Sequence, residues 1–311
     1  MAVFGSIWDD IRHAFRAGNM VTKLVIVNFG VFALVNIIYF ILWLANQGAD
    51  VSEAYWRFLR WFCISSDWRT LIWQPWTLFT HMFLHQSLWH VLNNIIGLFL
   101  FGTIVGDLIG DRRVLPIYLL GGLVGGILFF VSAQFLPYVG AYALGASGAV
   151  MALAGTALIL APDYRVMLFL LGEVKVKYIV LVIVLLDLVG IANANNSGGH
   201  VAHIGGFAMG CLFVYRLRDG QDLAAPVNRL LDWLNGLFRP GAPRRKMPAP
   251  KRKPQMAYKG GAFGNKPGNI TDNQELSFQE KLDAILDKIK QKGYENLTPE
   301  EKEFLYQASK K

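Results

Sequence analysis

Charged side chains are scarce in the first two thirds of this 311-residue sequence. Asp, Glu, Lys and Arg are absent from four long stretches: 24–49, 70–106, 114–162 and 188–215. A helix of a soluble domain normally has a polar face, so four such runs argue against an ordinary soluble fold. Apolar stretches of about 18 or more residues are typical of membrane spans. We therefore predict a polytopic membrane domain followed by a polar tail.

Cysteine is also scarce, since only Cys63 and Cys211 are present. Two cysteines cannot form a disulfide framework, and an apolar environment makes Cys211 a small hydrophobic residue. The net charge of +8 does not require a nucleic-acid partner. The position of the basic residues gives a simpler explanation, and we expect no nucleic acid to bind.

The apolar residues predict an all-α membrane bundle of six helices. The run from Val114 to Pro162 is too long for one crossing, and it is interrupted by the glycine-containing segment 137–148. The predicted spans are 22–45, 88–106, 115–136, 147–162, 172–190 and 200–216.

Lysine and arginine predict the orientation of these spans, because such residues stay in cytoplasmic loops. They occur in three places on one predicted side: Arg12, Arg16 and Lys23; Arg112 and Arg113; Arg165, Lys175 and Lys177. The opposite loops, 137–147 and 190–200, contain none. We expect both termini in the cytoplasm of a bacterial cell, with the bundle in its inner membrane.

The sequence suggests four regions. Residues 1–20 form a cytoplasmic amphipathic leader, 21–218 the membrane domain, 219–276 a basic and largely disordered linker, and 277–311 a small cytoplasmic helical hairpin. Capping-box patterns predict the two hairpin helices: Ser277 with Glu280, and Thr298 with Glu301. About 35 residues can hardly be stable alone, so we expect the hairpin to need either a partner or the membrane domain.

Polar residues inside the apolar segments are the candidates for function. Ser147 stands in Gly145-Ala-Ser-Gly148, where a glycine-containing loop becomes a helix. His203 precedes Gly206 and Gly210, whose spacing of four residues permits close helix packing. If these helices meet, His203 is a base for the Ser147 hydroxyl. For each residue taken singly there is an alternative interpretation: the serine as a helix cap, and the histidine as a hydrogen-bonded packing residue.

His90 and Asn94 lie one turn apart on the second predicted span. Together with the free amide at the start of a helix, their side chains are suitable donors for the negative oxygen of acyl transfer. The alternative for this pair is a hydrogen bond between helices.

The combined pattern resembles the rhomboid intramembrane serine proteases over residues 70–216. The resemblance is carried by Trp76 to Asn94, by Gly145 to Gly148 with Gly155, and by Ala202 to Gly210. It implies Ser147 as nucleophile, His203 as base, and an oxyanion site made by Ser147, His90 and Asn94 with Gly145 and Gly148 beside them. His81 and His85 would hold water or the first loop. Transmembrane segments of other proteins would be the substrates, and no metal or cofactor is implied.

Two residues depart from the family pattern. Thr77 follows Trp76 where many members have arginine, and Met151 stands where some bacterial members have a tyrosine that stacks on the histidine. Two further polar residues have open roles. Asp187 is either a third catalytic member or a partly hydrated structural acid, and we favour the second. His200 lies either at the mouth of the cavity or simply at the membrane interface, which we favour.

Two other functions are compatible with parts of the pattern. A metal-binding membrane protein would use the histidine pairs His81 with His85 and His200 with His203. However, the nearby spans lack paired carboxylates. A non-catalytic rhomboid relative would bind membrane proteins without cutting them. Such relatives typically lack the serine or the histidine, and both are present.

Overall fold

A computed structural model describes residues 2–168, 172–194, 196–238, 285, 288 and 297–308. The chain divides into two units, Met1–Pro243 and Arg244–Lys311. Six apolar helices of the first unit overlap the six predicted segments. They are α2 (Met20–Ala45), α6 (Leu88–Ile109), α7 (Val114–Ala133), α8 (Ser147–Leu160), α9 (Val176–Ala192) and α10 (Ser197–Arg218).

Shorter helices surround this bundle. They are α1 (Ala2–Ala17), α3 (Ser52–Leu59), α4 (Trp68–Trp73), α5 (Thr77–Thr80) and α11 (Ala224–Phe238), with 3-10 turns at His81–Phe83 and Asp111–Arg113; α12 (Pro299–Ala308) belongs to the second unit. The predicted helical membrane bundle is confirmed. Among the described residues, 20–45, 88–109 and 111–133 form helices long and apolar enough to cross a membrane. The count of six spans stays a prediction.

Two antiparallel strand pairs lie in the connecting loops. β1 (Ile64–Ser65) pairs with β2 (Tyr142–Ala143), and β3 (Arg165–Leu168) pairs with β4 (Gly172–Lys175). The fifth predicted span therefore began four residues too early, because residues 172–175 form a strand and α9 begins at Val176.

Charged residues explain this boundary. Arg165 pairs with Glu173 across the β3–β4 hairpin at 2.9 Å. The carboxylate of Asp163 contacts both Lys175 and Lys177, at 3.0 and 2.8 Å. Hydrogen bonds from Lys177 and Lys175 lower the pKa of Asp163 to about 2. These polar groups keep the hairpin at the end of the bundle.

One end of the bundle, here called the basic end, is held by contacts between turns. The Met20 amide donates to Asp111 Oδ1 at 2.7 Å, which joins the start of α2 to the turn after α6. Arg113 pairs with Asp222 at 2.8 Å, and Arg218 donates to the Ile159 carbonyl at 2.9 Å. The predicted basic loops thus lie at the ends of α6 and α8 and at the starts of α2, α7 and α9.

A buried polar contact ties the helices together in the core. The Tyr118 side chain of α7 is fully buried, and its hydroxyl donates to the Met82 carbonyl at 2.8 Å. The same hydroxyl lies 3.2 Å from Oδ1 of Asn28 in α2. Because a buried hydroxyl without a partner is costly, this arrangement fixes α2, α7 and the turn at His81–Phe83 relative to one another.

The sequence placed residues 219–276 in a largely disordered linker, and here the structure differs at its beginning. Residues 224–238 form α11, whose Asp232 pairs with Arg112 at 2.9 Å and whose Asn228 donates to the Arg112 carbonyl. A helical apolar pattern in this segment provides the physical reason, since Leu230, Trp233 and Leu237 recur at helical spacing.

In the second unit the capping box at α12 is confirmed. The Thr298 amide donates to Glu301 Oε2 at 2.8 Å, and the Glu301 amide donates to Thr298 Oγ1 at 3.3 Å. Lys288 reaches both oxygens of Glu301 at 2.7 Å. The Ser277 capping box lies outside the described residues, so the first helix of the hairpin stays a prediction.

Candidate active site

Ser147 begins α8 at the end of a loop that is fixed on both sides. The loop starts at β2, whose Ala143 pairs with Ile64 of β1. The Gly145 amide donates to the His81 carbonyl at 2.9 Å. Gly145 has a φ of +130°, a backbone conformation that residues with a side chain rarely adopt. Helix α8 then begins at Ser147. The Ser147 amide is among the first four of the helix, so it has no partner within the helix.

Helix α8, which begins at the candidate nucleophile Ser147, packs against α10 through glycines. A Cβ at Gly206 would lie 1.9 Å from the Gly148 carbonyl oxygen, and one at Gly210 would lie 1.9 Å from that of Ala152. A Cβ at Gly155 would lie 2.5 Å from the Phe207 carbonyl oxygen. Neither helix could approach the other this closely with larger residues in these places.

This contact brings Ser147 and His203 to the same region. Gly148 follows the serine directly, and it faces both Ala202, which precedes the histidine, and Gly206, one turn beyond it. The two candidate catalytic residues therefore flank a contact between backbones. Each is half-buried, so each is accessible from one side.

His90 of α6 approaches the same loop from another direction. A Cβ on Gly145 would lie 2.7 Å from His90 Nε2 and 3.6 Å from Ser147 Oγ. The imidazole of His90 and the hydroxyl of Ser147 thus both lie close to the position that a Cβ of residue 145 would occupy. Only a glycine leaves this position empty. An imidazole at this distance from the hydroxyl is chemically suited to donate to a negative oxygen that forms beside it.

Asn94 lies one turn after His90 and is buried. Its Nδ2 donates one proton to the His90 carbonyl at 2.9 Å, which leaves a second proton on the same nitrogen. Below it, α6 contacts α8 where a Cβ on Gly97 would lie 2.7 Å from Val150. The face of α6 that carries His90 and Asn94 is therefore turned toward the nucleophile helix.

His81 and His85 are both buried. The Nδ1 of His81 lies 2.8 Å from the Thr77 carbonyl oxygen, and its own carbonyl holds the Gly145 amide. His81 thus helps to hold the loop that leads into Ser147. Neither ring nitrogen of His85 has a hydrogen-bond partner among the described residues, and the ring packs edge-on against His90 at 5.1 Å. Buried polar groups in proteins are normally satisfied, so His85 is suited to hold water.

A small cavity of about 30 Å³ adjoins Ser147. That volume holds about two water molecules. Glycines make up much of its wall, and polar groups come from Ser147 and His81. Its lining residues also include Gly145, Gly148, Gly199, Gly125 and Gly126.

The structure adds a contact that the sequence did not predict. Asp187 of α9 is only 4% exposed, and its Oδ1 lies 2.7 Å from Nδ1 of His203 and 2.7 Å from Nδ1 of His200. Its Oδ2 is buried and has no hydrogen-bond partner among the described residues. The carboxylate is thus almost fully buried and contacts two histidines, neither of which the expectation of a partly hydrated structural acid included. The only signal in the sequence was an ionisable residue inside an apolar segment.

The two departures from the family pattern have simple places in the structure. Thr77 is buried, and its hydroxyl donates to the Gln74 carbonyl at 2.7 Å. Its neighbour Trp76 donates from Nε1 to the Trp61 carbonyl at 2.7 Å, and the two indole rings stack. The loop is thus anchored without an arginine. Met151 is buried in the core of the bundle.

Comparison with known proteins gives matches to both units. Residues 72–220 match the rhomboid domain, and residues 273–311 match a family of unknown function (DUF6576). The "Putative rhomboid protease YdcA" of Bacillus subtilis (strain 168) is 32% identical over 146 residues, which are 45% of this chain and 68% of that protein.

Two further relatives match over smaller shares of their length. "Rhomboid protease GluP" of Bacillus subtilis (strain 168) is 37% identical over 133 residues, 42% of this chain and 25% of that protein. "RHOMBOID-like protein 12, mitochondrial" of Arabidopsis thaliana is 31% identical over 160 residues, 47% of each chain. The chain thus spans half or less of the length of these two relatives.

Proposed function

This chain belongs to the rhomboid family, and we propose that it is an intramembrane serine endopeptidase that cleaves transmembrane segments of other proteins. The observation that carries the proposal is the glycine contact between α8 and α10. It places Ser147 and His203 beside one backbone crossing, where Gly148 meets Ala202 and Gly206.

The first half of the proposed reaction forms an acyl-enzyme. Ser147 Oγ attacks the carbonyl carbon of the scissile peptide bond while Nε2 of His203 takes the hydroxyl proton. The carbonyl oxygen becomes negative and accepts hydrogen bonds from the Ser147 amide, from His90 and from Asn94. His203 then gives its proton to the departing amine as the carbon–nitrogen bond breaks.

The second half regenerates the enzyme. A water molecule loses a proton to His203 and attacks the acyl carbon, and the Ser147 oxygen leaves with the proton from His203. Water is needed here inside an apolar bundle. The unpartnered ring nitrogens of His85 and the cavity beside Ser147 support a local supply.

The size of that cavity suggests the substrate. A small side chain that displaces the water would fit in the cavity of about 30 Å³, whose wall includes several glycines, whereas an aromatic side chain would not. We therefore expect cleavage next to a small residue, in a transmembrane segment that can unwind to expose its peptide bonds. The peptide groups of a regular helix are hydrogen-bonded to one another, so peptide bonds in an intact helix are poor targets.

The proposed setting is a bacterial inner membrane with both termini in the cytoplasm. The site lies near the starts of α6, α8 and α10. The basic loops lie at the other end of the bundle, where α6, α8 and α10 end. The site would then open to the non-cytoplasmic side. Exposed tryptophans in and near the loops of that side suit a headgroup region; they are Trp61, Trp68, Trp73, Trp76 and Trp89.

The test is cleavage of a purified single-span substrate by the full chain in liposomes. The substrate carries alanine and a helix-breaking residue near one end of its span. We expect Ser147→Ala and His203→Ala to lose essentially all turnover, and a fluorophosphonate to label the wild type but not Ser147→Ala. Ser132→Ala in α7 is the matched control and should cleave at the wild-type rate.

Equal cleavage by the wild type and Ser147→Ala would overturn the assignment of the nucleophile. Turnover retained in His203→Ala would do the same for the base. Binding of the substrate without cleavage or labelling would favour the non-catalytic rhomboid function.

A further inference from the structure

Asp187 is the least expected buried group in the molecule. It lies late in α9, whose residues from Tyr178 to Ala192 are otherwise uncharged. A carboxylate in such a place is costly unless it is paired, and it usually marks function. Both of its described partners are imidazoles of α10, one of which is the proposed base.

The hydrogen bonds assign a tautomer to each histidine. An ionised carboxylate only accepts, so a hydrogen bond to Oδ1 requires a proton on the Nδ1 of His203 and on that of His200. In the neutral ring of His203 the lone pair is then on Nε2. That is the nitrogen which must take the Ser147 proton in the proposed reaction.

His200 in turn is held against α9. A Cβ at Gly190 would lie only 2.2 Å from Nε2 of His200, so the ring rests directly on the backbone one turn from Asp187. The rings of His200 and His203 stand edge-to-face with centroids 5.7 Å apart. His200 thus fixes the carboxylate, and the carboxylate contacts His203.

We propose that Asp187 is a positioning residue for His203. It holds the imidazole in one orientation and one tautomer, and it stabilises the imidazolium that forms when Ser147 loses its proton. The Nδ1 proton stays on the ring, where the carboxylate accepts it in a hydrogen bond. His200 secures the carboxylate. This inference rests on the proposed function, and it adds a third member to the serine and histidine.

A metal ion is the alternative for the same three groups, because their ligand atoms lie within 4.8 Å of one another. A tetrahedral zinc ion with bonds of about 2.0–2.1 Å places its ligand atoms roughly 3.3 Å apart. Both nitrogen-to-oxygen distances here are 2.7 Å, which is the length of a charge-assisted hydrogen bond. The observed spacing favours hydrogen bonds.

The decisive variant is Asp187→Asn, compared with Asp187→Ala. Asparagine has the same shape, but its amide group donates, and it can hold His203 in the opposite tautomer with the proton on Nε2. We expect the kcat of Asp187→Asn to fall on the order of 100-fold, part of the contribution of a general base, with KM nearly unchanged. The kcat of Asp187→Asn should be lower than that of Asp187→Ala. A purely structural role predicts the higher kcat for Asp187→Asn, since asparagine would preserve packing better than alanine.

The experiment measures kcat, KM and the rate of fluorophosphonate labelling in liposomes, with thermal unfolding of each variant. Nitrogen-15 spectra of histidine-labelled protein report the tautomer directly. We expect Nδ1-protonated His203 in the wild type and an Nε2-protonated population in Asp187→Asn.

A second variant leaves Asp187 and His203 unchanged. Gly190→Ala displaces the His200 ring, and we expect a fall in kcat of a few fold with KM unchanged. Gly236→Ala in α11, where a Cβ meets nothing within 4 Å, is its matched control. This pair tests the inference even if Asp187→Asn does not fold.

Wild-type kcat in both Asp187→Asn and Gly190→Ala, with Ser147→Ala inert, would overturn the positioning role and leave the proposed function intact. Wild-type activity that disappears with a chelator and returns with zinc would overturn it in favour of a metal. A wild type that neither cleaves nor labels would remove the proposed function itself, and this inference with it.

Discussion

The two ends of the helical bundle are stabilised in different ways. At the basic end, turns are joined by ion pairs whose side chains water can reach: Arg112–Asp232 is exposed, and Arg113–Asp222 is half-buried. At the opposite end, here called the site end, buried polar groups meet close backbone contacts around Ser147, His90, Asp187 and His203. The basic end can lose a contact and let water replace it. At the site end, water cannot replace a close contact between two backbones, so small changes there should have large effects.

The largest effect is expected where backbones touch. Gly206→Ala would place a Cβ 1.9 Å from the Gly148 carbonyl oxygen and force α10 away from α8. We expect turnover to be lost and the free energy of unfolding to fall by at least about 3 kcal/mol, the upper part of the range for overpacking. Cleavage assays and thermal unfolding measure both.

Gly30→Ala in α2 is the matched control for that substitution. It makes the same change inside a helix, but a Cβ there meets nothing within 4 Å. We expect it to be neutral or slightly stabilising, since alanine favours helices over glycine by about 1 kcal/mol. Equal effects of the two substitutions would show that the close contact is not what holds the site end.

The next effect separates a local clash from backbone strain. Gly145 and Gly140 both have positive φ, +130° and +90°, but only a Cβ at Gly145 meets His90 Nε2, at 2.7 Å. Each alanine substitution should cost about 1–3 kcal/mol of stability through strain. In addition, Gly145→Ala should lower kcat by on the order of 10²-fold, as expected for a displaced oxyanion donor.

Gly140→Ala should keep nearly wild-type kcat once its stability is taken into account. A loss of activity as large as that of Gly145→Ala would mean that loop conformation, and not the position of His90, limits the reaction. Steady-state kinetics of the two variants at a temperature where both are folded makes the comparison.

The smallest effects are expected at the basic end. The Arg113–Asp222 side chains are about one-third exposed, at 33% and 31%, whereas those of Arg112–Asp232 are 66% and 60% exposed. Arg113 also donates to the Ile109 carbonyl. We expect Arg113→Ala to lower stability by about 1 kcal/mol and Arg112→Ala by less than about 0.5 kcal/mol, both with normal kcat.

Double-mutant cycles with Asp222→Ala and Asp232→Ala measure the two pair energies, and added salt should weaken the exposed pair more. A strong loss of kcat in Arg113→Ala would contradict the separation of the two ends, because it would show that the basic end controls the site.

Much of this organisation could be predicted from local sequence. Runs without charge predicted the helices of the bundle, and Thr298 with Glu301 predicted the start of α12, because each depends on residues within one or two turns. The β3–β4 hairpin was missed because Asp163 gains its partners from residues 12 and 14 positions away, and such contacts leave no local pattern. The segment of α11 does carry a helical apolar pattern, but the contact of its Asp232 with Arg112, 120 positions away, could not be predicted.

For the site, the sequence by itself determined the kinds of chemistry available: a serine at a loop-to-helix boundary, histidines and an asparagine in apolar segments, and glycines at a spacing of four. Only the tertiary structure decided which of them meet. It gave Asp187 two imidazole partners, set His90 against Gly145, and left both ring nitrogens of His85 without a hydrogen-bond partner among the described residues. The physical reason is that a helix fixes which residues share its face, whereas the distance between two faces depends on every side chain packed between them.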